Sequence, residues 1–173
     1  MKVVVFGATG TAGQGAIEAC LAAPDVSEVR AVTRRPLGRS RDRLVEVTCS
    51  NFADLTDIAQ HLSGLATCLF CLGTSARNVS GEDQYRQIHV TYALTAARAL
   101  FSQSPEASFM YLSGAGTHRA SRMMWARVKA EAEDQLLGSG LGSRAARSRG
   151  AGVLSVASPK PSSRSEVANR AAH

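Results

Sequence analysis

The sequence lacks the features that mark membrane and secreted proteins. No apolar run approaches the ~18 residues that a membrane-spanning helix needs. The amino terminus carries one lysine and then a strand-like run, without the separate cleavage region of a secretory signal peptide. We therefore expect a cytoplasmic protein with no membrane contact. Apolar residues nevertheless make up 45% of the 173 residues, which is enough to bury the core of one domain.

Cysteine is scarce, and its spacing does not indicate a metal site. Two of the four cysteines, Cys68 and Cys71, form a C-x-x-C pattern inside a probable strand at residues 66–72. Residues three apart on a strand point to opposite faces, so these thiols should not converge on one ion. No second C-x-x-C is present to complete a zinc site. We expect buried structural cysteines and no bound metal.

An excess of positive charge is also missing from most of the chain. Residues 1–138 contain 14 basic and 13 acidic residues, whereas residues 139–173 contain 6 basic residues and 1 acidic residue. The formal charge of +6 therefore belongs almost entirely to the last 35 residues. We expect no nucleic-acid surface on the folded domain.

Those last residues have a different composition from the rest. Residues 139–173 are rich in glycine, serine, alanine and arginine, and only residues 153–157 have the composition of a strand. Such a segment buries too little apolar surface to offset the entropy of ordering it, so a basic, low-complexity and poorly ordered tail is predicted. Binding of the tail to an acidic surface is the less favoured interpretation, because a solvated tail explains the same charges.

A glycine-rich motif near the amino terminus organises the chain. An apolar run at residues 3–6 is followed by the sequence GATGTAG at residues 7–13 and by a helix-forming segment at residues 14–23. The three glycines suit a tight turn, a close backbone approach to a phosphate, and close packing of helix on strand. The free N–H groups at the start of the helix attract an anion. We predict a dinucleotide phosphate site in preference to a merely flexible turn; its residues are Gly7, Thr9, Gly10, Thr11, Ala12 and Gly13.

The remainder of residues 1–138 alternates between strand and helix patterns. Further strands are predicted at residues 29–33, 44–48, 66–72 and 109–112, and helices at residues 55–62, 82–102 and 123–137. This alternation predicts an α/β fold, a Rossmann-like doubly wound parallel sheet that is incomplete at its carboxyl-terminal end. Residues 1–138 are thus predicted to form an NAD(P)-binding domain whose functional loops lie along one edge of the sheet.

The end of the second strand carries the cofactor preference. An acidic residue there would hold the ribose hydroxyl of NAD, whereas arginine accommodates the 2′-phosphate of NADP. The sequence has Arg34 and Arg35 and no acidic residue, which favours NADP over NAD. Alternatively, both are solvated loop charges, like the nearby Arg39, Arg41 and Arg43.

Three other positions are candidates at the sheet edge. Asp54, after the third strand, could accept a hydrogen bond from adenine or equally could cap the following helix. Leu72, Gly73 and Thr74 close the fourth strand and should lie at the rim of the nucleotide crevice. His89, a lone histidine on the long helix, is interpreted as a surface or packing residue.

These features together resemble the short-chain dehydrogenase/reductase superfamily, and most of all its atypical branch of NAD(P)-binding, epimerase-like proteins. The resemblance covers residues 1–137 and leaves a divergent or truncated carboxyl-terminal part. It rests on the sequences GATGTAG at 7–13, NFADL at 51–55, LGT at 72–74, YLSGAG at 111–116 and WARVKAE at 125–131.

The resemblance implies catalytic roles for Ser113 and Lys129. In the family, the serine orients the substrate, a tyrosine is the general acid/base, and the lysine binds the nicotinamide ribose and lowers the pKa of the tyrosine. The tyrosine position holds Trp125 here, and an indole N–H donates hydrogen bonds but does not titrate near neutral pH. Hydride-transfer chemistry would therefore need another proton donor, such as water, Tyr111 or the substrate itself.

Two functions follow as expectations. The first is an NADP-dependent oxidoreductase or epimerase-like activity on a small carbonyl or hydroxyl substrate. The second is a non-catalytic NADP-binding redox sensor or regulatory protein, which could have a protein partner. The second is favoured by the tryptophan at residue 125 and by the absence of the segment that usually covers the substrate pocket.

Overall fold

The computed structural model describes residues 1–38 and 40–138, together with the backbone of two strands in the tail. The strands are β1 Lys2–Phe6, β2 Glu28–Thr33, β3 Leu44–Thr48, β4 Thr67–Phe70, β5 Ser108–Leu112, β6 Arg144–Arg147 and β7 Val153–Ala157. The α-helices are α1 Thr11–Ala22, α2 Glu82–Arg86, α3 Tyr92–Gln103 and α4 Met124–Gly138. Two 3₁₀ turns cover Thr56–Leu62 and Ala76–Asn78.

The strands form one sheet in the order β3-β2-β1-β4-β5-β7-β6. The first five strands in this order are parallel to their neighbours, which confirms the predicted doubly wound sheet. The predicted strand at residues 153–157 is also present, and it pairs antiparallel with β5. The short β6, which the sequence did not predict, pairs antiparallel with β7. The rest of the predicted tail lies outside the described residues, so its poor order stays a prediction.

Both faces of the parallel sheet are covered. On one face, α1 packs its Ile17 and Leu21 against Val3 and Val5 of β1. On the opposite face, α3 and α4 cover a larger core. There, Phe6 and Phe70 of neighbouring strands lie with ring centroids 5.8 Å apart. This two-sided burial explains why β1 reads as an unbroken apolar run.

The long helix predicted at residues 82–102 is interrupted. Between α2 and α3, Gln87–Thr91 adopts a π-helical conformation, so one extra residue is accommodated in that turn. Hydrophobic periodicity at 3.6 residues cannot reveal this change, because the apolar positions on either side still face the core. The π-helical turn carries His89, which is buried.

All four cysteines are free thiols; Cys68 is buried, as expected, whereas Cys71 is only partly buried. Cys68 belongs to the core beneath α3 and α4, whereas Cys71 lies near Cys20 of α1 on the other face. Burial, and secondarily Cys20, raises the pKa of Cys71. Within the described ranges, no three His, Cys, Asp or Glu side chains cluster in a way that could hold a metal ion.

None of the helices described combines the length and the apolar character that a membrane crossing would need. The cytoplasmic location stays a prediction.

Candidate functional site

The glycine motif forms a turn that only glycine can make. Gly7 has φ of +82°, a left-handed conformation, and a Cβ there would lie 2.6 Å from the backbone nitrogen of Leu72. A Cβ at Gly13 would lie 2.1 Å from the carbonyl oxygen of Gly7, so α1 packs directly on the end of β1. Gly10 donates its N–H to Gly7 and caps α1 without a side chain. We call residues 7–13 the glycine turn.

The start of α1 is suited to an anion. The first turn contains no acidic residue and has no side-chain cap. Thr11 and Ala12, at this start, are exposed. The first N–H groups of a helix have no partner within the helix, so these backbone donors can bind an anion at the surface.

Arg34 and Arg35 lie where the sequence predicted them, at the end of β2 beside the glycine turn. Both are exposed. They line a cavity of about 260 Å³ together with residues of the glycine turn, β2 and the neighbouring loops: Gly7, Ala8, Thr9, Val32, Thr33, Phe52 and Leu72. Thr33 donates its hydroxyl to the carbonyl of Arg35 at 2.7 Å, which fixes the turn that carries both guanidinium groups.

Two other arginines of this loop, Arg41 and Arg43, have partners in the protein. Arg41 pairs with Glu18 of α1 at 2.5 Å. Arg43 donates to the carbonyls of Leu21 and Val26, at the end of α1 and just beyond it. In contrast, no ion pair of Arg34 or Arg35 is found among the described residues. Arg34 and Arg35 thus differ in their contacts from Arg41 and Arg43, and their role as phosphate ligands stays a prediction.

A second cavity continues the first one past the end of β4. Its volume is about 360 Å³, and it shares Arg34, Phe52 and Leu72 with the first cavity. Gly73 and Thr74 also line it, as predicted for the rim of the crevice. No sequence motif predicted the remaining lining residues, which are Ser50, Asn78, Gln84, Gln87, Ile88 and Tyr92. We refer to the two cavities together as the crevice.

Asp54 does not reach the crevice. Its carboxylate accepts hydrogen bonds from the backbone N–H of Thr56 at 3.0 Å and from the Thr56 hydroxyl at 2.6 Å. These bonds lower the pKa of Asp54. The side chain lines a separate groove against α3. The N-cap residue of the following 3₁₀ turn is Leu55, and Asp54 forms a side-chain turn with Thr56 just before it.

Ser113 is held by an internal hydrogen bond. Its hydroxyl donates to the carboxylate of Glu133 on α4, and the hydroxyl of Thr117 donates to the same oxygen at 3.0 Å. Ser113 and Glu133 are both buried. The sequence did not single out Glu133, since a glutamate in a helix shows no sign of a partner 20 residues earlier.

Lys129 and Trp125 share one face of α4, as their spacing predicted. A Cβ at Gly114 would lie 3.0 Å from Cζ3 of Trp125 and 3.7 Å from Cδ of Lys129. The Lys129 ammonium lies 3.4 Å from the carbonyl of Leu112. Burial lowers the pKa of Lys129, and Glu133 partly opposes this. The indole ring thus packs against the loop after β5. We call Ser113, Trp125, Lys129 and Glu133 the β5–α4 site.

Tyr111 is not available as a proton donor. The side chain has no exposed surface and stacks on Phe70, with ring centroids 6.1 Å apart. Its hydroxyl has no hydrogen-bond partner among the described residues, and burial raises its pKa well above the ordinary value. Because the phenol is buried and its ionised form is strongly disfavoured, it can neither reach a substrate nor give up its proton near neutral pH.

Comparison with solved structures finds the same architecture in proteins of low identity. A short-chain dehydrogenase from Burkholderia cenocepacia in complex with NADP is 18% identical, with a TM-score of 0.68, over 80% of this chain and 64% of that one. A variant uronate dehydrogenase from Agrobacterium tumefaciens complexed with NAD is 17% identical, with a TM-score of 0.63, over 80% and 56%. The UDP-glucose 4-epimerase of Thermotoga maritima, with UDP-glucose, is 12% identical, with a TM-score of 0.63, over 79% and 50%.

The chain has the fold of the short-chain dehydrogenases and epimerases. It spans only 50% to 64% of the length of these three structures. No family model matches the sequence, and no curated protein matches it. The likeness is therefore one of fold, which supports the resemblance noted in the motifs.

Proposed function

We propose that the protein binds a nicotinamide dinucleotide in the crevice, with NADP preferred over NAD. The observation that carries the proposal is the pairing of the glycine turn with two arginines in one cavity. The turn presents backbone N–H groups, and Arg34 and Arg35 present guanidinium groups that have no ion-pair partner in the described part of the chain. Phosphate groups match both kinds of donor.

The two cavities support the following arrangement of the ligand. The diphosphate lies at the start of α1, where the N–H groups are free. The 2′-phosphate lies against Arg34 and Arg35 at the end of β2. The adenine lies in the adjoining cavity beside Phe52, where the amide side chains of Asn78 and Gln84 can bond to its polar edge. Asp54 is left out of this assignment because its carboxylate is bonded to Thr56.

The solved structures support a nicotinamide cofactor without choosing between its two forms. One of them is complexed with NADP and another with NAD. The choice of NADP rests on this chain's own residues, namely two arginines and no carboxylate at the end of β2. That choice is the finer part of the proposal, and it is the part that the arginine variants test.

The activity that fits this fold is an oxidoreductase or epimerase-like reaction on a small carbonyl or hydroxyl compound. NADP, when bound, would supply hydride transfer. In this chain, Lys129 is the residue that could hold the nicotinamide ribose, because its ammonium lies at the carbonyl end of β5. The proton must come from water or from the substrate, since Trp125 does not titrate and Tyr111 is buried.

A second candidate function is a non-catalytic NADP sensor or regulatory protein. The specific observation in its favour is the state of the β5–α4 site. Trp125 packs against Gly114, and the hydroxyl of Ser113 is bonded to Glu133. Neither group is poised for proton transfer, although the crevice is open for the cofactor.

Calorimetric titration with NADPH and NADH tests the binding proposal. We expect saturable binding of NADPH at least about tenfold tighter than that of NADH, because charge-assisted hydrogen bonds to the 2′-phosphate add affinity. Absence of binding by either dinucleotide would refute the proposal. Equal affinity for the two would leave dinucleotide binding intact and refute the preference for NADP.

Turnover on a panel of aldehydes, ketones and sugar nucleotides then separates the two candidate functions. NADPH consumption that disappears in Lys129→Ala would support the enzyme. Tight NADPH binding with no consumption of any panel member would support the sensor. A Trp125→Tyr variant is the matched control, because it places the family's phenol at the position that lacks one.

A further inference from the structure

His89 occupies an unusual position for a histidine. It lies in the middle of the π-helical turn and is only 2% exposed. Its Nδ1 has no hydrogen-bond partner among the described residues. Buried polar atoms without partners are rare, and π-helical turns occur often at functional sites. A histidine that served only for packing would leave this cost unexplained.

The imidazole of His89 contacts the loop that follows β4. Its Nε2 lies 3.3 Å from the backbone nitrogen of Thr74 and 3.2 Å from the carbonyl oxygen of the same residue. A Cβ at Gly73 would lie 2.8 Å from Cε1 of the ring, so this loop lies close against the Cε1 edge of the imidazole. Nε2 bonds to one of these two groups at a time, because it either accepts from the N–H or donates to the carbonyl.

This loop is part of the crevice. Gly73 and Thr74 line the second cavity together with Arg34 and Phe52. His89 itself does not line that cavity, so it can act on a ligand only through the loop. A shift of the Thr74 peptide would change the shape of the cavity without removing any side chain from it.

The contact with Thr74 depends on the protonation state of His89. With a lone pair on Nε2, the neutral ring accepts a hydrogen bond from the Thr74 N–H. The imidazolium has no lone pair there and donates instead to the Thr74 carbonyl oxygen. The groups that face the ring are Tyr85 of α2, with ring centroids 4.1 Å apart, and Lys129 of α4. Burial, and next the charge of Lys129, lowers the pKa of His89 to about 4. The ring is therefore neutral at neutral pH.

We propose that His89 is a positioning residue for the dinucleotide. Its neutral imidazole holds the Thr74 peptide, and with it Gly73 and Thr74, in the conformation that binding in the crevice requires. Protonation of the ring exchanges the bond from the Thr74 N–H for a bond to the Thr74 carbonyl oxygen, which shifts this peptide and weakens binding. This inference rests on the proposed dinucleotide binding, and it adds a residue that makes no contact with the ligand.

Two variants separate positioning from packing. His89→Gln keeps an acceptor and a donor for the Thr74 peptide but does not titrate, whereas His89→Leu keeps most of the volume and removes both. At pH 7.5, calorimetric titration with NADP⁺ should give a Kd about five- to tenfold weaker for H89L and within about twofold for H89Q. His118→Asn, at an exposed histidine in the loop before α4, is the matched control and should leave the Kd unchanged.

The pH dependence gives a second readout. At a pH equal to the pKa of His89, half of the molecules are unable to bind well, so the Kd of the wild type should rise by about twofold relative to that of H89Q. The ratio removes the titration of the NADP⁺ phosphates, which is common to both proteins. In NMR spectra without ligand, the Thr74 amide should shift with the same midpoint as the His89 ring, and this shift should be absent in H89Q.

The outcomes are distinguishable. If the wild type binds no NADP⁺, the proposed function fails, and the Thr74 shift still tests the contact with His89. If the wild type binds and H89L binds equally well, the positioning role is wrong. The positioning role would also be overturned if the Thr74 amide signal did not shift as His89 titrates. If H89L fails to fold, the comparison of the wild type with H89Q across pH decides the question.

Discussion

Two groups of side chains lie at the carboxyl edge of the same sheet, one beside β1 and β2 and the other after β5. In the first group, Arg34 and Arg35 point their charges at a cavity and have no ion-pair partner in the described residues. In the second, the hydroxyl of Ser113 donates to Glu133, and Trp125 packs against Gly114. The charged groups of the first site are available to a ligand, whereas Ser113 in the second already forms a hydrogen bond within the protein.

The difference suggests how function is distributed in this chain. Unpaired donors at a surface gain most of their interaction energy from a ligand, so the crevice is built to bind. Polar groups that already form hydrogen bonds with one another must break those bonds before they can bind a substrate. Dinucleotide binding should therefore depend on the first group, and stability on the second.

The largest effect is expected from Gly13→Ala in the glycine turn. The new Cβ would lie 2.1 Å from the carbonyl oxygen of Gly7, so either α1 or the turn must move. We expect a loss of about 3 kcal/mol in unfolding free energy, measured by urea denaturation, and loss of NADPH binding. Gly15→Ala is the control, because a Cβ there meets nothing within 4 Å. It should stabilise α1 by about 0.5–1 kcal/mol. Equal stabilities of the two variants would contradict the close packing.

Acid should destabilise the protein through His89. The pKa of His89 is about 4 in the folded protein and ordinarily 6.5, so the unfolded chain binds more protons between these values. Stability attributable to this residue is complete above pH 6.5 and is lost as the pH falls toward 4. Between pH 7 and pH 4.5 the wild type should lose about 2–3 kcal/mol more than His89→Gln, measured by urea denaturation at each pH. Parallel losses in the two proteins would show that His89 titrates normally.

Arg34→Ala tests whether the arginines beside the crevice bind the cofactor. We expect NADPH affinity to fall by about ten- to a hundredfold while NADH affinity changes little, because only NADPH carries the 2′-phosphate. Unfolding free energy should stay constant, since Arg34 is exposed. Arg98→Ala, at an exposed arginine of α3 outside the crevice, is the control. An unchanged NADPH/NADH ratio in Arg34→Ala would rule out this arginine as the 2′-phosphate ligand.

Ser113→Ala tests whether the β5–α4 site contributes to stability and not to cofactor binding. The change removes one of the hydroxyl donors to the buried Glu133, so the unfolding free energy should fall by about 1–2 kcal/mol. NADPH affinity should stay within about twofold of the wild type, in calorimetric titration. Ser102→Ala, on the exposed side of α3, is the stability control. Weak NADPH binding by a Ser113→Ala variant of unchanged stability would show that this site contributes to cofactor binding and not to stability.

Asp54→Asn should have the smallest effect. Because the carboxylate bonds to Thr56 and lines a separate groove, NADPH affinity should remain within about twofold of the wild type. A large loss of affinity, measured in the same titration, would return Asp54 to the cofactor site.

Much of the crevice could be predicted from the sequence because its determinants are local. The turn from β1 to α1 requires glycine at Gly7 and Gly13, and both lie within one motif of seven consecutive residues. The position of Arg34 could be predicted because this residue directly follows β2. The cavity past β4 was only partly predicted, because Asn78, Gln84 and Tyr92 come from segments that carry no motif.

The β5–α4 site could not be predicted in the same way. The resemblance named Ser113 and Lys129, but the bond from Ser113 to Glu133 joins residues 20 positions apart. Likewise, the π-helical turn that buries His89 leaves no mark on the apolar periodicity. Such contacts depend on how one element settles against another.

The sequence by itself determined the parallel sheet, the glycine turn and the charges beside it, because apolar runs, glycines and strand ends act over a few neighbouring residues. Only the tertiary structure decided that Asp54 turns to Thr56, that Tyr111 is sealed in the core, and that His89 meets the Thr74 peptide. These outcomes depend on packing between elements distant in the chain, where small shifts decide which polar atoms meet.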